Sequence, residues 1–215
     1  MRVVKKIDGE VIAEFYHGLS PQCIPPNLVI EKRHLSYDFI EGITPFEWKV
    51  VWDWSEEYIW HLSPHVPLGD GFDVERYASY MLSVLCYTEI KIDIDKLLKI
   101  IEEADYTPVW KCHGDLTLKN CVQTVTGEII YLDPGNARGL PCREQDESKI
   151  LQSLDGFDCV YRGHMLPAGW PRMEVRKIHW ALLVCHYLRL LRHVTHEPSL
   201  QFARHRIKTI SEWIL

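Results

Sequence analysis

The sequence predicts an α+β fold, with a reduced, strand-rich front (residues 1–42) and a mainly helical body (residues 43–215) that carries a β-hairpin. Three observations carry this. Residues 27–40 are dominated by extended formers and follow Pro25-Pro26, which block helix continuation. Cys121-Val122-Gln123-Thr124-Val125 and Ile129-Ile130-Tyr131-Leu132 are β-rich runs on either side of the turn Thr126-Gly127-Glu128, the pattern of a hairpin. Elsewhere apolar residues recur at helical spacing.

Taken in order, residues 27–40 give extended chain and Gly42 marks the one boundary. Residues 46–73 form a segment rich in tryptophan (Trp48, Trp52, Trp54, Trp60) that ends in Pro67-Leu68-Gly69-Asp70-Gly71. Packing is the commoner use of tryptophan, and stacking on a sugar ring is the alternative. Val74, Tyr77, Met81, Val84 and Leu85 predict a helix, and residues 95–104 predict a second. Residues 172–194 predict a third, with Val175, Ile178, Leu182, Cys185 and Leu188 as its inward stripe. No internal repeat or low-complexity tract interrupts the chain.

At 215 residues, with 47% hydrophobic and 25% charged positions, the chain can bury a substantial core and reads as a soluble globular protein. A formal net charge of -6 argues against broad affinity for nucleic acid or an anionic membrane. The apolar stretch at residues 180–191 is broken by His186 and Arg189 and cannot span a bilayer. Seven cysteines, without a Cys-x-x-Cys or a positively headed apolar leader, point to reduced thiols in a cytoplasm. Cys112 and Cys121 flank the central motif as small buried side chains rather than nucleophiles. His61-x3-His65 and His193-x2-His196 have spacings compatible with zinc, but no Cys pair joins them, and surface histidines are the simpler reading.

That central motif is His113-Gly114-Asp115-Leu116-Thr117-Leu118-Lys119-Asn120, followed by Asp133 at the end of the hairpin's second strand. Phosphoryl transfer asks a protein mainly to position groups and neutralise charge. Asp115 suits the acceptor of a hydroxyl proton. Asn120 and Asp133 offer hard oxygen ligands for Mg²⁺, which binds through one or two carboxylates plus substrate phosphates. The hairpin would carry both to the same open end.

These residues resemble the catalytic loop and metal-binding strand of the kinase-like phosphotransferases, the superfamily of aminoglycoside, choline and fructosamine kinases, which carry His-Gly-Asp where protein kinases usually carry His-Arg-Asp. The likeness continues through Leu132-Asp133-Pro134, Arg143-Glu144-x-Asp146 and Leu151-Gln152-Ser153-Leu154-Asp155-Gly156-Phe157-Asp158, where it is similar to the fructosamine kinase branch. The resemblance implies a protein-kinase-like fold, with ATP and Mg²⁺ as cofactors and a small-molecule hydroxyl as acceptor. It gives Asp146 the role of starting a helix and bracing the catalytic loop, and His113 the role of orienting that loop. Lys119 stands where tyrosine kinases carry a catalytic-loop Arg that reaches the transferring phosphate.

Toward the amino end, Leu35-Ser36-Tyr37-Asp38-Phe39-Ile40-Glu41-Gly42 resembles the hinge whose backbone holds adenine, which makes Asp38 and Ile40 candidate nucleotide contacts. The resemblance reads Val3-Val4-Lys5-Lys6-Ile7 as the strand carrying the ATP-contacting lysine. Lys5 and Lys6 point to opposite faces of it, and the alternation favours Lys5. Residues 10–19 become the helix whose Glu14 pairs with that lysine. About forty residues precede the hinge and leave no room for a Gly-rich hairpin. Three functions follow as expectations: a small-molecule kinase acting on a sugar or sugar derivative, a non-catalytic kinase-like scaffold, or a divided enzyme whose hairpin comes from a partner chain or the second copy of a homodimer.

Overall fold

The computed structural model describes residues 2–6, 9–45, 47–60, 73–86, 88, 90–107, 109, 111–135, 142–162 and 174–215. Among them the fold is α+β, with two small antiparallel sheets. The Pro67–Gly71 segment, His61 and His65 lie outside the described residues.

The first sheet contains β1 (Arg2–Lys6), β2 (Val29–Ile30) and β3 (His34–Asp38) in the order β1-β3-β2. Its register runs from Arg2 opposite Asp38 to Lys6 opposite His34. Alternation decides the faces of β3: Leu35 and Tyr37 are buried, whereas His34 is exposed. Helix α1 (Gly9–Tyr16) lays Ile12, Phe15 and Tyr16, spaced for one helical face, against that apolar side.

Residues 39–41 carry the chain into the second sheet, made of β4 (Gly42–Ile43), β5 (Cys121–Thr124) and β6 (Ile129–Tyr131) in that order. Gly42 lies so close to β5 that a Cβ there would stand 2.5 Å from the Gln123 carbonyl oxygen, so a side chain is excluded. The predicted hairpin is β5–β6, closed by Gly127 at φ 88° and by the Thr124 N–H to Glu128 O bond of 2.9 Å.

The tryptophan segment is helical. Helix α2 (Trp48–Tyr58) buries Trp48, Val51, Trp52 and Ser55, and Trp60 packs edge-on to Trp52 at 4.9 Å. The Arg143 guanidinium covers both rings, 5.0 and 4.9 Å from their centroids. Trp48, Trp52 and Trp60 are therefore core, and the acceptor-stacking alternative fails for them. Trp54 is half-buried against Tyr58.

The body continues with α3 (Val74–Leu85) and α4 (Ile94–Glu102), each N-capped by an aspartate side chain, Asp73 and Asp93. Four more helices follow: α5 (Arg143–Leu154), α6 (Phe157–Arg162), α7 (Lys177–Leu190) and α8 (Glu197–Ile214). Helix α7 starts later than its sequence pattern suggested and is buried on more than one face, because α3, α4, α5 and α8 all pack against it. Ala181, Leu183, Val184, His186 and Tyr187 are buried beside the predicted stripe.

Two apolar clusters result. One fills the space among α3 to α8. The other joins α1, β3, α2 and the hairpin to Leu116 and Leu118 of the central loop, so core packing anchors the loop just after Asp115. No helix among the described residues is long and apolar enough to cross a membrane.

Candidate phosphoryl-transfer site

The loop from Cys112 to Asn120 is held by its backbone. Gly114 takes φ 72°, a left-handed turn that glycine adopts freely. The N–H groups of His113 and Gly114 then both point at the Asp146 carboxylate, at 2.9 and 2.8 Å, and Trp60 Nε1 donates to it at 3.1 Å. Asp146 lies in the first turn of α5 and is fully buried. Burial pushes its carboxyl upward, while His113 and these donors pull the other way. The brace that the resemblance implied is present as geometry.

His113 spans the loop and the hairpin. The Asp115 N–H donates to Nδ1 at 3.3 Å, so Nε2 carries the proton and donates to the Leu132 carbonyl at 2.9 Å. Burial lowers its pKa and outweighs the neighbouring Asp146 and Asp115, which fits a neutral ring with both nitrogens committed. It is an orienting residue, not a metal ligand.

Asp115 is gripped at both carboxylate oxygens. Lys149 Nζ stands 2.9 Å from Oδ1, and Asn120 Nδ2 donates to Oδ2 at 2.9 Å and to the Asp115 carbonyl at 2.8 Å. Burial raises the Asp115 pKa, but Lys149, Lys119 and His113 more than offset this and hold it below the ordinary carboxylate value. The group is ionised at neutral pH, with its side chain still 33% exposed. With its nitrogen spent on Asp115, Asn120 offers Oδ1 to a cation.

Asp133 closes the hairpin at φ 50°, a conformation that aspartate tolerates better than most residues. Its neighbours tie it to the loop: the Leu132 N–H donates to the Asn120 carbonyl and the Gly135 N–H to the His113 carbonyl, both at 2.7 Å. Gly135 approaches closely, and a Cβ there would stand 3.1 Å from the Asp115 Cβ and the Gly114 oxygen. Asp115, Asn120 and Asp133 thus share one end of the hairpin. No group of three or more His, Cys, Asp or Glu among the described residues could hold a metal ion. Asn120 Oδ1 and the part-exposed Asp133 carboxylate are the oxygen donors here that could hold a hard cation.

The remaining candidates fall differently. Lys5 points toward the hairpin, as the alternation favoured, but its ammonium pairs with Asp133. Glu14 lies on α1, and its side chain is outside the described residues. Asp38 spends its N–H on the Pro26 carbonyl at 2.9 Å, and its carboxylate accepts from Asn27 at 2.7 Å. That amide is therefore lost to an adenine. Lys119, half-buried, makes no ion pair with another described residue and acts on Asp115 through its charge. Cys112 and Cys121 have thiols pushed up by burial, which makes them inert packing. His193 and His196 are exposed, and His196 bonds Ser199.

Sequence reasoning missed Lys149. It lies three residues beyond Asp146, so the two share one face of α5, and that spacing was the available signal. Compared with protein-family models, curated proteins and solved structures, the chain finds no match.

Proposed function

We propose that the protein is an ATP- and Mg²⁺-dependent phosphotransferase of the kinase-like type, acting on a hydroxyl of a small molecule, with sugars and sugar derivatives the first class to test. The observation that carries this reading is the Asp115 carboxylate, ionised and fixed at both oxygens, beside Asn120 and the hairpin end that bears Asp133. In the reaction the acceptor oxygen bonds to the γ-phosphorus and its proton passes to Asp115. The bond from that phosphorus to the bridging oxygen breaks, and ADP leaves with the electron pair. A carboxylate of lowered pKa is a weak base, which suffices where a loose transition state delays proton loss. Mg²⁺, held by Asn120 and Asp133, would offset phosphate charge. Lys5 would turn from Asp133 to the phosphates, and Lys119 would face the transferring group.

The seven cysteines, all free thiols, support a reducing, cytoplasmic setting. One observation favours a second reading, a non-catalytic kinase-like scaffold: Asp115 and Asp133 are both already neutralised by lysines. Transfer from γ-labelled ATP to a panel of sugars and polyols separates the two. The phosphotransferase gives Mg²⁺-dependent label transfer that Asp115→Asn lowers by about 10²–10⁴-fold. No transfer to any acceptor, or transfer unchanged in Asp115→Asn, would favour the scaffold or a different base.

A further inference from the structure

The two-sided grip on Asp115 assigns a role to a residue on a different element. We propose that Lys149 is a positioning residue for the phosphotransfer reaction, its buried ammonium fixing the Asp115 carboxylate in the orientation that receives the acceptor proton. The inference rests on the phosphotransferase reading.

A carboxylate anchored only by Asn120 at Oδ2 could still swing about that contact. The Lys149 contact to Oδ1 removes this freedom. Lys149 is itself immobilised. Its side chain is 6% exposed, and Nζ also donates to Gln152 Oε1 at 3.1 Å, one further turn along α5. A single helix face thus holds the loop twice, through the anion of Asp146 on the loop backbone and the cation of Lys149 on the loop's one acidic side chain.

The chemistry of burial argues against simple filling. A buried ammonium carries a desolvation cost that a methionine of similar length would avoid, so packing alone does not account for lysine here. Burial lowers the Lys149 pKa, and Arg189 from α7 and Lys119 from the loop lower it further, with Asp115 as the carboxylate that opposes them. Its partner is the one group whose position governs the reaction. Misplacing a reacting group by about 1 Å costs on the order of 10²-fold in rate.

The test uses MgATP with water as acceptor and follows Mg²⁺-dependent release of phosphate by the whole chain. Lys149→Met is expected to lower kcat about 10–100-fold while KM for ATP stays within about threefold. Lys149→Gln, which keeps a donor without the charge, loses kcat similarly, and Lys149→Arg recovers part of it. In an Asp115→Asn background, Lys149→Met adds less than about threefold, because a residue that acts through Asp115 has nothing left to position. Unchanged kcat in Lys149→Met and Lys149→Gln, or a full additional loss in the Asp115→Asn background, overturns the assignment while leaving the phosphotransferase reading intact. A wild-type chain that shows neither Mg²⁺-dependent phosphate release to water nor Mg²⁺-dependent transfer to any acceptor overturns both.

Discussion

Lys5 and Asp133 pair directly at the open end of the hairpin, each more than one-third exposed, so their ion pair adds little to stability. Its value would lie in placing a cation where phosphate charge arrives. Lys5→Met is expected to leave the melting temperature nearly unchanged and to weaken MgATP binding about tenfold, as the loss of one charged hydrogen bond implies. Calorimetric titration of the nucleotide checks this. His186 supplies a different prediction. Ser148 Oγ donates to the Gln145 carbonyl and so accepts from His186 Nε2 at 2.7 Å, in a fully buried seam between α5 and α7. Burial, then the positive charges of Lys149 on α5 and Arg189 on α7, push the ring well below the ordinary histidine value of 6.5. The unfolded chain binds a proton that the native ring refuses. Stability from this residue is therefore complete above pH 6.5 and falls with decreasing pH, by up to about 1.4 kcal/mol per unit. His186→Gln should flatten that decline when urea unfolding of the two proteins is compared between pH 7 and pH 5.

Helix α5 concentrates the site's support. Asp146 accepts from two loop amides and from Trp60, so Asp146→Ala leaves three donors unpaired and should cost roughly 3–5 kcal/mol in urea unfolding. A variant of near wild-type stability would mean that the loop holds its shape without the brace. This helix also marks the limit of what the chain's pattern reveals. The hairpin was legible because β-rich runs flank Gly127, and α3 and α4 because their apolar residues repeat at helical spacing. The sequence Arg-Glu-Gln-Asp-Glu-Ser-Lys buries most of its polar side chains, so apolar patterning marks no inward face here, and only the three-residue spacing from Asp146 pointed to Lys149. Helix α2 was hidden by its tryptophans, which also suit a binding wall, though Trp48, Val51, Trp52 and Ser55 fit one helical face. Helix α8 carried a signal that was not used: Pro198 in the first turn and Ala203, Ile207, Ile210 and Ile214 on one stripe.

Across the whole molecule, the apolar cluster around the hairpin and the cluster among α3 to α8 meet at α5, whose Ile150 belongs to the first and Leu151 to the second. The helix that positions the loop is thus wedged between two cores, which gives the candidate base a rigid mounting. Asp115, Asn120 and Asp133 could be named from their spacing because the catalytic loop and hairpin are local in sequence. Lys5 and Lys149 reach the site from distant segments, and only tertiary packing decides their partners. The phosphotransferase reading requires this constellation to receive a metal nucleotide. Thermal unfolding of the wild-type chain with millimolar ATP tests it most directly, with Mg²⁺ or with a chelator. With Mg²⁺ the melting temperature should rise by about 3–10 °C, as a dissociation constant of tens of micromolar implies for a chain of this size. The rise should disappear with chelator and in Asp133→Ala. No shift with MgATP, or an equal shift in chelator and in Asp133→Ala, would contradict the account.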